Sequence, residues 1–518
     1  LPAIVAGDPT FRDISLEAVP ENGAWKLEKL EAKLPGRTTF LANGRLAVDA
    51  DYGFSGEIVV ASLQPSGFAS WLSDSVDPSI RRLDRAGLSA SVELSPQLQR
   101  MENLEIAVGT ATLKGRLERI APRQGRPSLS LVLEGETIDA DALRAFSALV
   151  AGDHEANRLS GHDIGVRMSA DSLQLAGLDA NDLDIAVRLK SGALDIDRLT
   201  VDDLAGVSLT MVGRLDNAFT APAGDLDITL TAEQMDGVAR ALGDLGIIHP
   251  AADHFRRNAG LFGNTTVNAR ARFLTPQGGA TQLIARASGN SGGSQFNAVF
   301  EKKNIHAPMS QNDMSAKIDV NNYSSRTMLR QFGIDLLDAG ADSAASASLQ
   351  MSDNADARAD FTLGYLSGDL QFNARGKAWG DDDDRLLGDF VFDMTSSDLS
   401  PYLLAAGLSM GGPQVSLPAK FNARVEADSE TLSLRSMEGA VEDIQFAGNL
   451  AMPRDRTEIA LSGDLALSEI DIGWLAESVL GEGAVSFYDG SWSNSGFAPS
   501  TFGDTRFDID VTAQRALL

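Results

Sequence analysis

Apolar and polar residues alternate along much of this chain. In segment 183–189, Leu183, Ile185, Val187 and Leu189 share one parity, while Asp184, Ala186 and Arg188 take the other. The same alternation runs through 226–230, 421–427 and 507–511. Side chains alternate across a β-strand, so each segment predicts a strand with one dry and one wet face. A wet face excludes an all-parallel sheet sandwiched between helices and predicts antiparallel meanders. Turn-forming residues cluster at 42–44, 194–203 and 288–293, which read as connections between strands.

A longer pattern overlies this one. The step Gly44-Arg45-Leu46 returns as Gly115-Arg116-Leu117 and Gly213-Arg214-Leu215, and more loosely as Gly376-Lys377-Ala378 and Gly448-Asn449-Leu450. Each step reads as the opening of a strand, followed 19 to 23 residues later by a helix start at Leu63, Ile138, Met235, Leu399 or Ile470. Tyr323 makes a sixth anchor without the clean glycine step. Short helices are predicted over 141–150, 234–245, 325–332, 400–406 and 471–479, each behind a polar cap. Pro401 suits the first position of its helix. Such regular spacing implies one supersecondary unit copied along the chain. The segment 247–268 breaks the rhythm and predicts a longer connection, giving blocks at 1–250 and 251–480. A terminal β segment, 481–518, is expected to continue beyond this fragment.

Composition narrows the chemistry. With 44 basic and 72 acidic residues the formal charge is −28. That opposes binding of nucleic acid, which depends on cationic contacts to phosphate, and electrostatic adhesion to an anionic membrane. The absence of cysteine removes disulfides, thiolate catalysis and cysteine metal sites. No run reaches the roughly 18 apolar residues of a membrane-spanning helix. The first residue is Leu1, so a processed or partial chain is expected, with any anchor lost from it.

No catalytic, metal or cofactor site is expected. His249 and His254 flank Asp253, but Pro250 breaks the helical spacing that a metal-binding pair needs; His154, His162 and His306 stand apart. The aspartate run 381–384 lacks the alternating ligands of a calcium loop. Nucleophile elbows, phosphate loops and dinucleotide fingerprints are missing from any strand-to-helix context. Trp492, Ser493 and Phe497 read as packing at the end of a sheet.

The dry face itself is then the candidate surface. Large apolar patches do not persist uncovered without a purpose. A second sheet, the short helices or a ligand with aliphatic chains would each cover it. Aromatic residues make up 6% of the chain, which predicts an aliphatic lining suited to acyl chains. Periodicity alone favours an ordinary self-covered core.

A resemblance shifts that balance. Trp71-Leu72-Ser73-Asp74, Asp77-Pro78, Arg81-Arg82-Leu83, Ala86-Gly87-Leu88-Ser89-Ala90 and Asn103-Leu104-Glu105-Ile106 with Gly109 and Gly115-Arg116-Leu117 resemble the AsmA family of Gram-negative envelope proteins. The tail agrees, through 465–474, Trp492-Ser493, Phe497 and Asp508-Ile509-Asp510. The likeness covers most of the chain and is weaker between about 250 and 400. It implies a mainly β fold: an elongated, strongly curved antiparallel sheet built from repeats, forming a trough-like groove with short intervening helices. It further implies a periplasmic, inner-membrane-anchored, non-enzymatic protein related to TamB-like and bridge-like lipid-transfer proteins. Its groove would hold phospholipid acyl chains in transit between inner and outer membrane, and membrane proteins would meet its ends. A scaffold for outer-membrane protein assembly is the alternative. Candidate groove residues are Leu129, Leu131, Leu133, Leu183, Ile185, Val187, Leu189, Leu226, Ile228 and Leu230.

Overall fold

The structure is a computed structural model. It describes residues 3–5, 10–48, 52–72, 80, 83–108, 111–139, 161–175, 178–244, 250–306, 314–334, 342–353, 358–380, 386–405, 416–454, 460–481 and 506–517. Strands dominate these residues, and the sheet is open and mostly antiparallel, as the alternation predicts. Two compact units emerge: Leu1–Leu245 with Thr266–Thr281, and Gly246–Thr265 with Gln282–Leu518.

In the first unit, strands from Ala3–Val5 to Ala223–Ala232 pair with their sequence neighbours. The Thr265–Leu274 strand lies beside the last of them, where its Arg270 and Arg272 pair with Asp227 and Asp225 at 2.6 and 2.7 Å. Residues 266–281 thus belong to the first unit, whereas the expected boundary lay near 250. In the second unit, strands from Gln282–Ser291 to Ala460–Asp471 form another antiparallel meander, and Arg506–Leu517 adds to it in parallel. The first unit also has one parallel pair, Ser128–Asp139 with Asp163–Leu175.

The turns sit differently from the composition-based expectation. Residues 42–44 and 194–203 lie inside the strands Thr38–Ala47 and Ala193–Leu204. The actual hairpin before the latter is Ser191-Gly192, both with positive φ (52° and 84°). Gly292-Gly293 takes the same form within the expected 288–293 turn, with φ of 56° and 81°. Two successive positive φ values match the right-handed twist of the flanking strands.

The repeated glycine has one structural address. Gly44, Gly115, Gly213, Gly376 and Gly448 do not open strands; each lies within the penultimate strand of its repeat. A final strand then follows, and among the described residues a helix comes after it in the repeats of Gly44, Gly213, Gly376 and Gly448. A Cβ at these positions would collide with the backbone of that final strand. It would come 2.6 Å from Gly56 Cα at Gly44, 2.8 Å from Leu226 Cα at Gly213 and 3.1 Å from Leu465 Cα at Gly448. Beside Gly44, Gly115, Gly213 and Gly448 the preceding strand carries a register shift. A bulge bends its strand and sharpens the twist, and the glycine lets the next backbone follow the bend. The repeat ending at Asn322 has Ala298 in its penultimate strand Ser294–Lys302 and no glycine there.

Described helices are Pro65–Leu72, Asp236–Asp244, Pro250–Arg257, Ser325–Gln331, Ser400–Ala405 and Ile472–Leu480. The predicted 141–150 helix lies outside the described residues, and Ile138 proves to be a buried strand residue. The helices leave strand ends where hydroxyls and amides are buried. Thr38 Oγ1 donates to Ser62 Oγ at 3.0 Å, and Ser62 Oγ donates to the Gly36 carbonyl at 3.1 Å. Asn322 Nδ2 donates to Ser294 Oγ at 2.8 Å, which donates to Gln331 Oε1 at 2.6 Å. These bonds satisfy polar groups that burial would otherwise penalise. A seven-residue helix does not hold by itself, so Ser325–Gln331 depends on burying Met328 against Val320, Ala345, Ala347 and Tyr365.

Candidate functional site

Strand register puts all ten candidate residues on one face of the first unit. Along one row Leu133 lies opposite Met168, Met168 opposite Ile185, Ile185 opposite Leu199, Leu199 opposite Met211 and Met211 opposite Ile228. A second row runs Leu131, Val166, Val187, Ile196, Gly213 and Leu226. The third runs Leu129, Ile164, Leu189, Leu194, Leu215 and Gly224. Leu183 pairs with Ala170, and Leu230 pairs with Leu209. Parity is kept because the bulges move the register without turning the apolar set over.

Burial is uneven over this face. Leu133, Leu183 and Leu189 are buried, whereas the other seven candidates are only half-buried. The best-covered part is the cluster of Leu104, Ile106, Leu113, Leu133, Ile138 and Leu173, against which Leu83 packs. Self-covering is thus concentrated there.

The opposite face is ionic. Arg188 meets Asp197 at 2.7 Å, Arg198 meets Asp184 at 2.9 Å and Arg214 meets Asp195 at 3.2 Å, each across neighbouring strands. Hydrogen bonding by Arg270 holds the Asp227 carboxyl below its ordinary value, and Arg188 does the same to Asp197. Cross-strand pairs of opposite charge align register and make this side thoroughly wet. A depression of about 860 Å³ lies here among Lys114, Glu134, Asp171 and Asp184. It is polar and far from an acyl-chain lining in chemistry.

The second unit departs from the expected aliphatic lining. Its dry face carries a phenylalanine seam: Phe372 and Phe392 are 5.6 Å apart, Phe392 and Phe421 5.0 Å, and Phe421 and Phe446 5.6 Å. Phe361 and Phe390 make a further contact at 5.4 Å, edge to face. Such tilted and edge-on contacts are the favourable ones for aromatic rings. Glycines on the same face make room for the rings: Gly376 lies opposite Phe390, and Gly439 opposite Phe446. Average aromatic content hides this seam; the alternation of Phe390 with Phe392, aligned to Phe421, is the signal that would have found it.

Among the described residues no cluster of His, Asp or Glu is arranged to hold a metal. Asn258 Nδ2 donates to His254 Nδ1 at 3.1 Å, leaving Nε2 to donate to the Gln331 carbonyl at 3.1 Å. His254 therefore ties two helices together. His154, His249, the 381–384 aspartates, Trp492, Ser493 and Phe497 lie outside the described residues. No helix among the described residues is long and apolar enough to cross a membrane. No family model, curated protein or solved structure matches the chain.

Proposed function

We propose that this chain is a non-enzymatic, AsmA-like periplasmic carrier whose dry face holds phospholipid acyl chains between inner and outer membrane. In this reading it supports outer-membrane lipid homeostasis and is attached to the inner membrane in the complete protein. The carrying observation is the unbroken apolar register of the first unit, half-buried over most of its extent, on an open sheet whose other side is laced with ion pairs. Each methylene moved from water onto such a lining gains about 0.8 kcal/mol. Head groups meanwhile stay in water. The phenylalanine seam of the second unit is equally apolar and offers a firmer lining.

The test is lipid co-purification with the intact chain, read by native mass spectrometry. Ile185→Asp puts a charge into the middle row and is expected to lower bound phospholipid severalfold. Asp184→Asn, on the wet side, is expected to leave it unchanged. Equal lipid content in both folded variants contradicts the proposal. Co-purification of unfolded outer-membrane protein in place of lipid favours the scaffold alternative.

A further inference from the structure

The wet face of the second unit includes an uncharged patch. In the second unit, a row of aligned side chains on this side runs Gln295, Asn321, Ser346, Leu366, Gln371 and Thr395 across six successive strands. None of the six is charged. The next row inward includes Asn297, Ser348, Gly364 and Asn373. Its Asp319 is paired with Lys317 at 3.4 Å, and its Asp393 accepts from Asn373 at 2.9 Å. Farther along this side Arg424 meets Asp389 across neighbouring strands, and the wet face of the first unit carries such pairs repeatedly.

The patch is hollow. Gly364 contributes no side chain between Ser348 and Asn373, and a depression of about 400 Å³ opens over it. A second of about 330 Å³ adjoins, sharing Asn321, Ser346 and Leu366 and reaching Tyr323. Tyr323 is 89% exposed and Leu366 49%. Among the described residues, the side-chain amides of Gln295, Asn321 and Gln371 make no hydrogen bond within the chain. An amide presents a donor and an acceptor together, as paired hydroxyls of a sugar ring require. An exposed phenol ring offers a flat apolar surface with a polar tip, against which the C–H face of a pyranose lies. Few polar groups around a shallow concavity are the general form of a small-ligand site.

We propose that this patch binds a neutral oligosaccharide, with Tyr323 stacking on a sugar ring and Asn321, Gln295 and Gln371 holding its hydroxyls. The site lies on the side opposite the dry face and stands independently of the lipid reading. Charge decides the ligand class: among the described residues no lysine or arginine lines either depression, so anionic sugars would meet a strongly acidic chain, whereas neutral ones suffer no repulsion.

Calorimetric titration of the full chain with chitohexaose and cellohexaose tests this, with polygalacturonate as the anionic control. Saturable binding of at least one neutral hexasaccharide is expected. Tyr323→Ala should weaken it about tenfold, a loss of about 1.4 kcal/mol, and Asn321→Ala should weaken it as well. Both side chains are exposed, so unchanged melting profiles will show that the variants fold. The proposal is overturned by absence of binding, by affinity unchanged in both variants, or by equal binding of the anionic polymer.

Discussion

Gly115 is the sharpest point at which to perturb the fold. It occupies the middle of Ala111–Ile120, flanked by the strands Leu98–Val108 and Ser128–Asp139. A Cβ there would lie 2.8 Å from the Val132 carbonyl carbon and 3.1 Å from Leu133 Cα, with the Val132 oxygen closer still. All three obstacles are backbone, so no rotamer change relieves them. Overpacking costs about 1–3 kcal/mol, and a backbone obstacle puts Gly115→Ala near about 3 kcal/mol. At about 2 °C per kcal/mol for units of a few hundred residues, melting of the first unit should fall by about 6 °C. The control is Gly165→Ala, where an added Cβ meets nothing within 4 Å; it should stay within about 0.5 kcal/mol of the parent. Circular dichroism with urea titration at fixed temperature reads both. Equal stability of Gly115→Ala and Gly165→Ala would refute the idea that repeat glycines exist to admit the neighbouring strand.

Two further outcomes follow from the second unit. Asp369 accepts hydrogen bonds from Ser397, Asp398 and Ser396, which hold its carboxyl down at about 2. A depressed carboxyl contributes its stability above the unfolded value and loses it as pH falls toward the folded one. The urea-midpoint gap between parent and Asp369→Asn should therefore be widest above pH 4 and close toward pH 2; a constant gap refutes it. Met328→Ala removes a fully buried side chain, with an expected cost of about 2–5 kcal/mol. Hydrogen exchange should then quicken in Ala345–Asp353, beneath the helix, and unchanged protection there would show that the helix is not held by Met328.

Much of the fold is legible from residue type alone, and the exceptions have physical causes. Segments such as 183–189 and 421–427 alternate cleanly because one face must be wet, and they are strands in the structure. Helix positions are readable because Ser324, Ser325 and Pro401 mark starts that the backbone needs. Asn43-Gly44 misleads. It has the composition of a turn, yet Gly44 (φ 147°) is a mid-strand residue chosen for close approach of Gly56. The bulges are silent in the sequence, since Asn103 and Ser436 adopt positive φ (50° and 48°) without a glycine to announce it. Likewise parity marks the ten candidate residues, but their alignment into rows depends on register between strands, which local pattern does not encode. The phenylalanine seam is hard to read locally because Phe372, Phe392, Phe421 and Phe446 sit on four different strands.

The most direct measurement places a photo-crosslinking residue at successive positions 183 to 189 in the chain as it is produced in a Gram-negative envelope. The account predicts phospholipid adducts at 183, 185, 187 and 189 and few at 184, 186 and 188, a period of two. Adducts of equal yield at both parities, or none at any position in a folded chain, would contradict the claim that the dry face carries lipid.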